Sequence, residues 1–229
     1  HLKLIYFDKG YLGVDIFLVI SGYVITNSYL KNKNNIYLFY KKRFFRIFPP
    51  LILFSIFLFI VCLLIATPNI SFKNSFLGSL FGITNIMSLN SYTISEANYF
   101  VSIFEDPFHH SWSLGLEIQF YILFPLLFIF LKNSNLQNIQ IIFIIFLTIF
   151  LSAYFTKINP NWTFYFIGLR LWEFLFGCIC VFYNKTILKF LNYPKLIFII
   201  FIIVLQLDNL YPIVYNLTAV VFASIFIVT

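Results

Sequence analysis

The sequence predicts an all-α protein, a polytopic transmembrane bundle with about seven or eight hydrophobic segments of membrane-spanning character. Three observations carry that prediction. Hydrophobic residues make up 61% of the 229-residue chain and charged residues 10%, against roughly 25% charged in a soluble domain. Mean hydropathy is +0.93. The apolar residues also gather into runs near the length of about 20 residues that crosses a hydrocarbon core. A water-soluble globule with so few ionic groups would leave Phe and Ile exposed. The excess of 15 Lys+Arg over 8 Asp+Glu, net +7, would suggest nucleic acid in an aqueous domain. In a chain this apolar it reads as membrane topology, and no nucleic-acid partner is expected.

In chain order the predicted spans are Tyr11–Tyr29, Phe48–Thr67, Ser113–Leu131, Ile139–Phe155, Tyr165–Tyr183, Leu196–Leu207 with its neighbours, and Pro212–Val228. Ser75–Leu89 is weaker, because Gly78, Gly82, Thr84 and Asn85 interrupt it. It reads as a short span, a re-entrant piece or an interfacial helix. Lys31–Asn35 and Lys132–Asn138 are short polar connections, and no internal repeat is present. Cys62, Cys178 and Cys180 lie inside apolar runs and read as packing residues, not as a disulfide or metal framework. No basic region precedes a signal-like core. The chain opens at His1 and is still apolar from Val220 to Thr229, so it is expected to be an internal piece of a longer membrane protein.

Orientation follows from the basic residues. Six of the fifteen lie between Lys31 and Arg46: Lys31, Lys33, Lys41, Lys42, Arg43 and Arg46. This cluster, and a second at Lys185, Lys189 and Lys195, are expected on the cytoplasmic side. The two counts of spans agree only if Ser75–Leu89 does not cross fully. Residues from about Asn69 to Ser111 then form an outer-face region that includes His110.

Polar groups in or beside spans are costly and point to function or to specific pairing. Asp15, at the mouth of the first span, suits either a helix dipole or a functional role beside His1. Arg43 and Arg46 are three apart and share a helix face. Two guanidiniums there form a fork for phosphates, those of lipid headgroups or of a nucleotide or coenzyme A donor. Pro49 and Pro50 suit the first turn of the following helix. On one helix, His110, Leu114, Glu117 and Tyr121 fall on a single stripe. Imidazole, carboxylate and phenol would then share a cavity, with His110 as the natural general base. Adjacent His109 and His110 with Glu105 or Asp106 make a poor metal set, because neighbouring histidines diverge on a helix, so no metal site is expected. Arg170 and Glu173, at i, i+3, suit an internal ion pair. There is no Walker loop, no Gly-rich dinucleotide turn and no Cys/His zinc spacing.

Four blocks resemble the acyltransferase 3 family, membrane O-acyltransferases that modify bacterial surface glycans and related acceptors: Gly13–Thr26 (GVDIFLVISGYVIT), Tyr40–Leu51 (YKKRFFRIFPPL), His110–Pro125 (HSWSLGLEIQFYILFP) and Arg170–Gly177 (RLWEFLFG). Their order and reach make chance similarity improbable. The resemblance implies a single transmembrane acyltransferase domain over 1–229, incomplete at both ends. It also implies a bacterial cytoplasmic-membrane location and an acyltransferase that transfers groups other than amino-acyl groups. His1 is similar to the family's first-helix histidine, which an arginine ten residues upstream precedes in full-length members. Arg43 and Arg46 match the R-x-x-R associated with acyl-CoA, and His110 and Glu117 match H-x-W-S-L-x-x-E. Ser111 replaces the usual Thr, and Ile118 replaces a common second acidic residue.

The implied reaction moves an acyl group, an acetyl group first of all, from cytosolic acyl-CoA to a hydroxyl of a glycan or lipid-linked saccharide. Acyl-CoA is the donor substrate, no bound cofactor is implied, and membrane lipid is a further partner. His1, His110 and Glu117 are the expected catalytic residues. Arg43, Arg46, Asp15 and Tyr121 are the expected substrate-binding ones. A rival reading is a transporter or channel with a polar His/Glu/Asp path, although the chain lacks inverted-repeat symmetry. A purely structural scaffold would leave Glu117 and Asp15 without a reason.

Overall fold

A computed structural model describes residues 11–31, 35–65, 70–89, 107–132, 137–190 and 212–228. The described regular elements are all helical: α1 Leu12–Lys31, α2 Ile36–Ile65, α3 Ile70–Phe81, α4 Thr84–Ser88, α5 Trp112–Lys132, α6 Gln137–Ile158, α7 Pro160–Tyr165, α8 Ile167–Phe190 and α9 Pro212–Val228. A 3₁₀ turn, His109–Ser111, leads into α5. Among the described residues five stretches are long and apolar enough to cross a membrane: α1, α2, α5, α6 and the α7–α8 stretch Pro160–Phe182. The protein is a helical membrane bundle. His1 and the predicted span Leu196–Leu207 lie outside the described residues.

The bundle centres on α1 and α8, which form its most extensive helix pair. Small residues make this possible. A Cβ on Gly22 would land on the Phe174 carbonyl, and one on Gly177 on the Val19 carbonyl. Without a hydrophobic drive between helices in lipid, such close backbone approach supplies the packing. Asp15 meets Arg170 near the start of both helices, and Gly22 meets Phe174 further along. The two helices therefore run parallel. Helix α5 adds the buried series Trp112, Leu116, Phe120 and Phe124, with Phe120 stacked on Phe174 at 4.1 Å. Outward-facing Phe57, Leu64, Phe143, Phe146 and Phe150 are well exposed, as a lipid-facing surface requires.

Helix α2 departs from expectation. The predicted span begins at Phe48, with prolines in its first turn, but the helix starts at Ile36 and runs through Pro49 and Pro50. Asn35 caps it, its Oδ1 accepting from Leu38 N at 3.1 Å. At 30 residues the helix is about 45 Å long, some 15 Å more than the hydrocarbon core. Its first turns, with Lys41, Lys42 and Arg46, therefore extend beyond the hydrocarbon. The prolines withdraw donors from the Phe45 and Arg46 carbonyls, at a depth where water and headgroups can replace them.

The weak segment Ser75–Leu89 does not form one crossing helix. Helix α3 has 12 residues, about 18 Å, and runs back along α2, where Phe76 stacks on Phe59 at 4.2 Å and Ser79 Oγ meets Ser55 Oγ at 2.7 Å. Gly82 then reverses the chain with φ +65°. Ile83 N donates to Gly78 O at 2.8 Å and Gly82 N to Ser79 O at 3.1 Å, a Schellman motif that needs glycine at the left-handed position. The short α4 packs on α5, where Gly115 leaves room for Asn85 and the Gly82 carbonyl.

Ring contacts define the two ends of the bundle. Tyr29 packs on Phe39, Phe124 and Phe128, and Phe128 on Phe182; this is the end bearing Lys31 and Lys41. At the other end Phe108 packs on Phe72, Trp112 on Phe164, and His109 on Tyr165. With the basic end in the cytoplasm, Lys41→Cys should react with a membrane-impermeant thiol reagent only from the cytosol. Asn74→Cys on α3 should react only from outside. Both are read in a background with Cys62, Cys178 and Cys180 replaced by alanine. Labelling of Asn74→Cys from the cytosol would reverse the assignment of the ends.

Candidate active site

A cavity of about 380 Å³ lies between α1, α2 and α5, within the roughly 300–1,000 Å³ of small-molecule sites. Its wall is largely apolar, with Phe17, Ile20, Leu51, Phe54 and Leu114. Its two charged lining residues are Arg46 from α2 and Glu117 from α5.

Glu117 is buried, and one turn later on the same helix Tyr121 donates its hydroxyl proton to Glu117 Oε1. Arg43, also buried, donates through Nη1 to the Tyr121 hydroxyl at 3.4 Å and through Nη2 to the Val24 carbonyl at 3.0 Å. Its guanidinium lies 5.1 Å from the Tyr121 ring centroid, close enough for a cation–π contribution. The expected joint fork of Arg43 and Arg46 is therefore divided. Positions i and i+3 differ by about 60° around a helix, enough here to turn Arg43 into the bundle while Arg46 stays exposed at the cavity wall.

The stripe His110–Leu114–Glu117–Tyr121 is also modified. Leu114 and Glu117 do share the cavity, and Tyr121 joins Glu117. His110, however, belongs to the tighter 3₁₀ turn and not to α5 itself, so a continuous 3.6-residue period does not reach it. Neighbouring His109 is buried, its Nε2 2.7 Å from the Tyr165 hydroxyl.

Arg170 Nη1 pairs with Glu173 Oε1 at 2.9 Å and also with Asp15 Oδ1. All three side chains are at most 2% exposed. Asp15 sits in the first turn of α1, where the dipole favours it, but it does not line the cavity. The sequence suggested an ion pair; the fold assembles a triad. The Phe164 ring lies 4.9 Å from the Arg170 guanidinium, and Glu173 Oε2 has no hydrogen-bond partner among the described residues.

Sequence reasoning missed one polar network. Asn85 and Gln119 exchange amide hydrogen bonds of 3.3 and 2.9 Å, and Asn85 Nδ2 also donates to the Tyr165 carbonyl at 3.1 Å. That carbonyl is available because Phe166 is extended between α7 and α8. Thr84 Oγ1 lies 2.7 Å from Ser111 Oγ. Together these contacts tie α4 to α5, α7 and the 3₁₀ turn. The available signal was the pair Asn85 and Gln119, two amides in apolar surroundings. No group of three or more His, Cys, Asp and Glu suited to a metal occurs among the described residues; Glu105 and Asp106 lie outside them.

The cavity, with a carboxylate on its wall and a cation beside it, lies among the helices of a polytopic membrane protein. The sequence matches the acyltransferase 3 family model, described as an acyltransferase domain, over residues 8–229, and the chain belongs to that family. It is 33% identical over 194 residues to the O-acetyltransferase OatA of Staphylococcus aureus strain NCTC 8325, covering 80% of this chain and 31% of that relative. A putative O-acetyltransferase of S. aureus strain COL is 30% identical over 194 residues, covering 80% of this chain and 32% of the relative. The chain thus spans about a third of the length of these relatives. No solved structure matches it.

Proposed function

We propose that this chain is part of an integral-membrane O-acyltransferase of the bacterial cytoplasmic membrane. It moves an acyl group, an acetyl group first of all, from cytosolic acyl-CoA to a hydroxyl of a cell-surface glycan or lipid-linked saccharide. The observation that supports this best is the cavity between α1, α2 and α5, which joins an exposed guanidinium to a buried carboxylate. Family membership and the O-acetyltransferase names of the relatives supply the reaction class.

In this reading Arg46 meets donor phosphates at the cytosolic end, and the thioester arm enters the apolar cavity. His110 takes the proton of the acceptor hydroxyl, and Glu117 compensates the charge that the imidazole gains. The acceptor oxygen bonds to the acyl carbon, the carbon–sulfur bond breaks, and the departing thiolate takes up a proton. The products are an O-acyl ester and free coenzyme A. In the two-step form that the family resemblance allows, the His1 imidazole attacks the thioester first, the carbon–sulfur bond breaks and coenzyme A leaves as the thiol. The acceptor oxygen then displaces the imidazole from the acyl carbon.

The test is radiolabelled acetyl-CoA supplied to membranes that carry the full-length protein and candidate saccharides. Label should pass to the saccharide, and Arg46→Ala should raise the acetyl-CoA KM by about 10-fold or more, the scale of a charge-assisted hydrogen bond. Arg46→Lys should rescue poorly, because an ammonium lacks the planar fork. Solute flux without label transfer would favour a transporter and defeat the proposal.

A further inference from the structure

We propose that Arg43 serves the reaction through Tyr121 and Glu117 and not by touching the donor, so that the two arginines of R-x-x-R have separate tasks. The inference rests on the acyl-transfer reading above and deepens it. Arg43 is poorly placed for a phosphate. It is 5% exposed, with Nη2 on the Val24 carbonyl and Nη1 on the Tyr121 hydroxyl. The Phe39 and Tyr121 rings lie 5.8 and 5.1 Å from its guanidinium carbon. A hydrated pyrophosphate reaching it would have to part these rings and take the partner of a buried carbonyl. Arg46 is exposed on the cavity wall and needs no such rearrangement.

The direction of the hydrogen bonds gives Arg43 its task. A guanidinium has five donors and no acceptor. The Tyr121 hydroxyl therefore accepts from Arg43 and turns its own proton toward Glu117 Oε1. Donation into a hydroxyl polarises it and strengthens its onward bond. The chain runs from a cation through a phenol to a carboxylate on the cavity wall. It holds Glu117 in position, as a group that stabilises a charged imidazole must be held. Arg43 and Tyr121 are positioning residues in this arrangement.

The experiment is steady-state kinetics of the full-length protein in proteoliposomes, with acetyl-CoA varied and saccharide fixed, beside direct binding of coenzyme A. Arg43→Gln and Tyr121→Phe should each lower kcat about 10- to 100-fold, the scale of one hydrogen bond to a charged group, with KM and coenzyme A affinity within about 2-fold. Because they act in series, the double variant should be no slower than the slower single one. Arg43→Lys, which keeps the charge but lacks the planar fork that reaches both Val24 and Tyr121, should be intermediate. Arg46→Gln should show the opposite split, with KM raised and kcat largely kept.

Loss of coenzyme A affinity in Arg43→Gln to match Arg46→Gln would overturn the proposal, as would additive effects of Arg43→Gln and Tyr121→Phe. A further readout needs no turnover: coenzyme A binding should weaken in Arg46→Gln and stay within about 2-fold of wild type in Arg43→Gln and Tyr121→Phe. A wild-type protein that transfers no acetyl group, yet shows this binding pattern, would instead overturn the acyl-transfer reading.

Discussion

Arg170→Leu is expected to destabilise the folded bundle by about 3–5 kcal/mol, the cost of removing one partner from a buried ion pair. Arg170 is the shared cation of Asp15 and Glu173, which lie on different helices and are both 0% exposed. Leucine would leave two carboxylates facing each other where water cannot reach them. Thermal unfolding in detergent and abundance in membranes would both fall, well beyond the effect of a typical surface substitution. Glu173→Gln should do far less, because Asp15 would remain paired. The triple variant Asp15→Leu, Arg170→Leu, Glu173→Leu should recover much of the loss, because no buried charge is left unpaired. An Arg170→Leu protein as stable as wild type would show that the triad does not hold α1 against α8.

The second large effect is on chemistry. His110→Ala should lower acyl transfer by about 10²–10⁴-fold, the contribution of a positioned general base. The reporters Lys41→Cys and Asn74→Cys should still label from their own sides. His109→Ala is the informative comparison. Its imidazole is buried against the Tyr165 hydroxyl at 2.7 Å, so its removal should cost about 0.5–1.5 kcal/mol of stability and leave most of the transfer rate. If His109→Ala abolished transfer and His110→Ala did not, the general base would be the buried histidine, and His110 would lose its proposed role.

Much of this architecture is legible along the chain because a bilayer imposes it locally. A run of about 20 apolar residues can satisfy its backbone in lipid only as a helix. Pro212–Val228 is accordingly predicted and observed with the same bounds, and α1, α5 and α6 begin within two residues of their predicted starts. The interruption at Gly82 is also readable, since glycine in a short apolar segment marks a place where the backbone can turn left-handed. Helix α2 is less so. The hydropathy step at Phe48 marks where lipid begins, not where the helix begins, and Asn35 sets the true start through its cap.

The candidate site divides in the same way. Composition and spacing single out Arg43, Arg46, Glu117, Tyr121, Arg170 and Glu173, because each is a costly polar group in or at the edge of an apolar helix. Spacing also brings Tyr121 to Glu117, one turn apart on α5. Only the tertiary structure sends Arg43 to Tyr121 and leaves Arg46 at the cavity, draws Asp15 to Arg170 across 155 positions, and joins Asn85 to Gln119. Periodicity relates residues on one helix. Which face meets which neighbour depends on the close approach at Gly22 and Gly177 and on the rotation it imposes on each helix, and these are properties of the packed bundle.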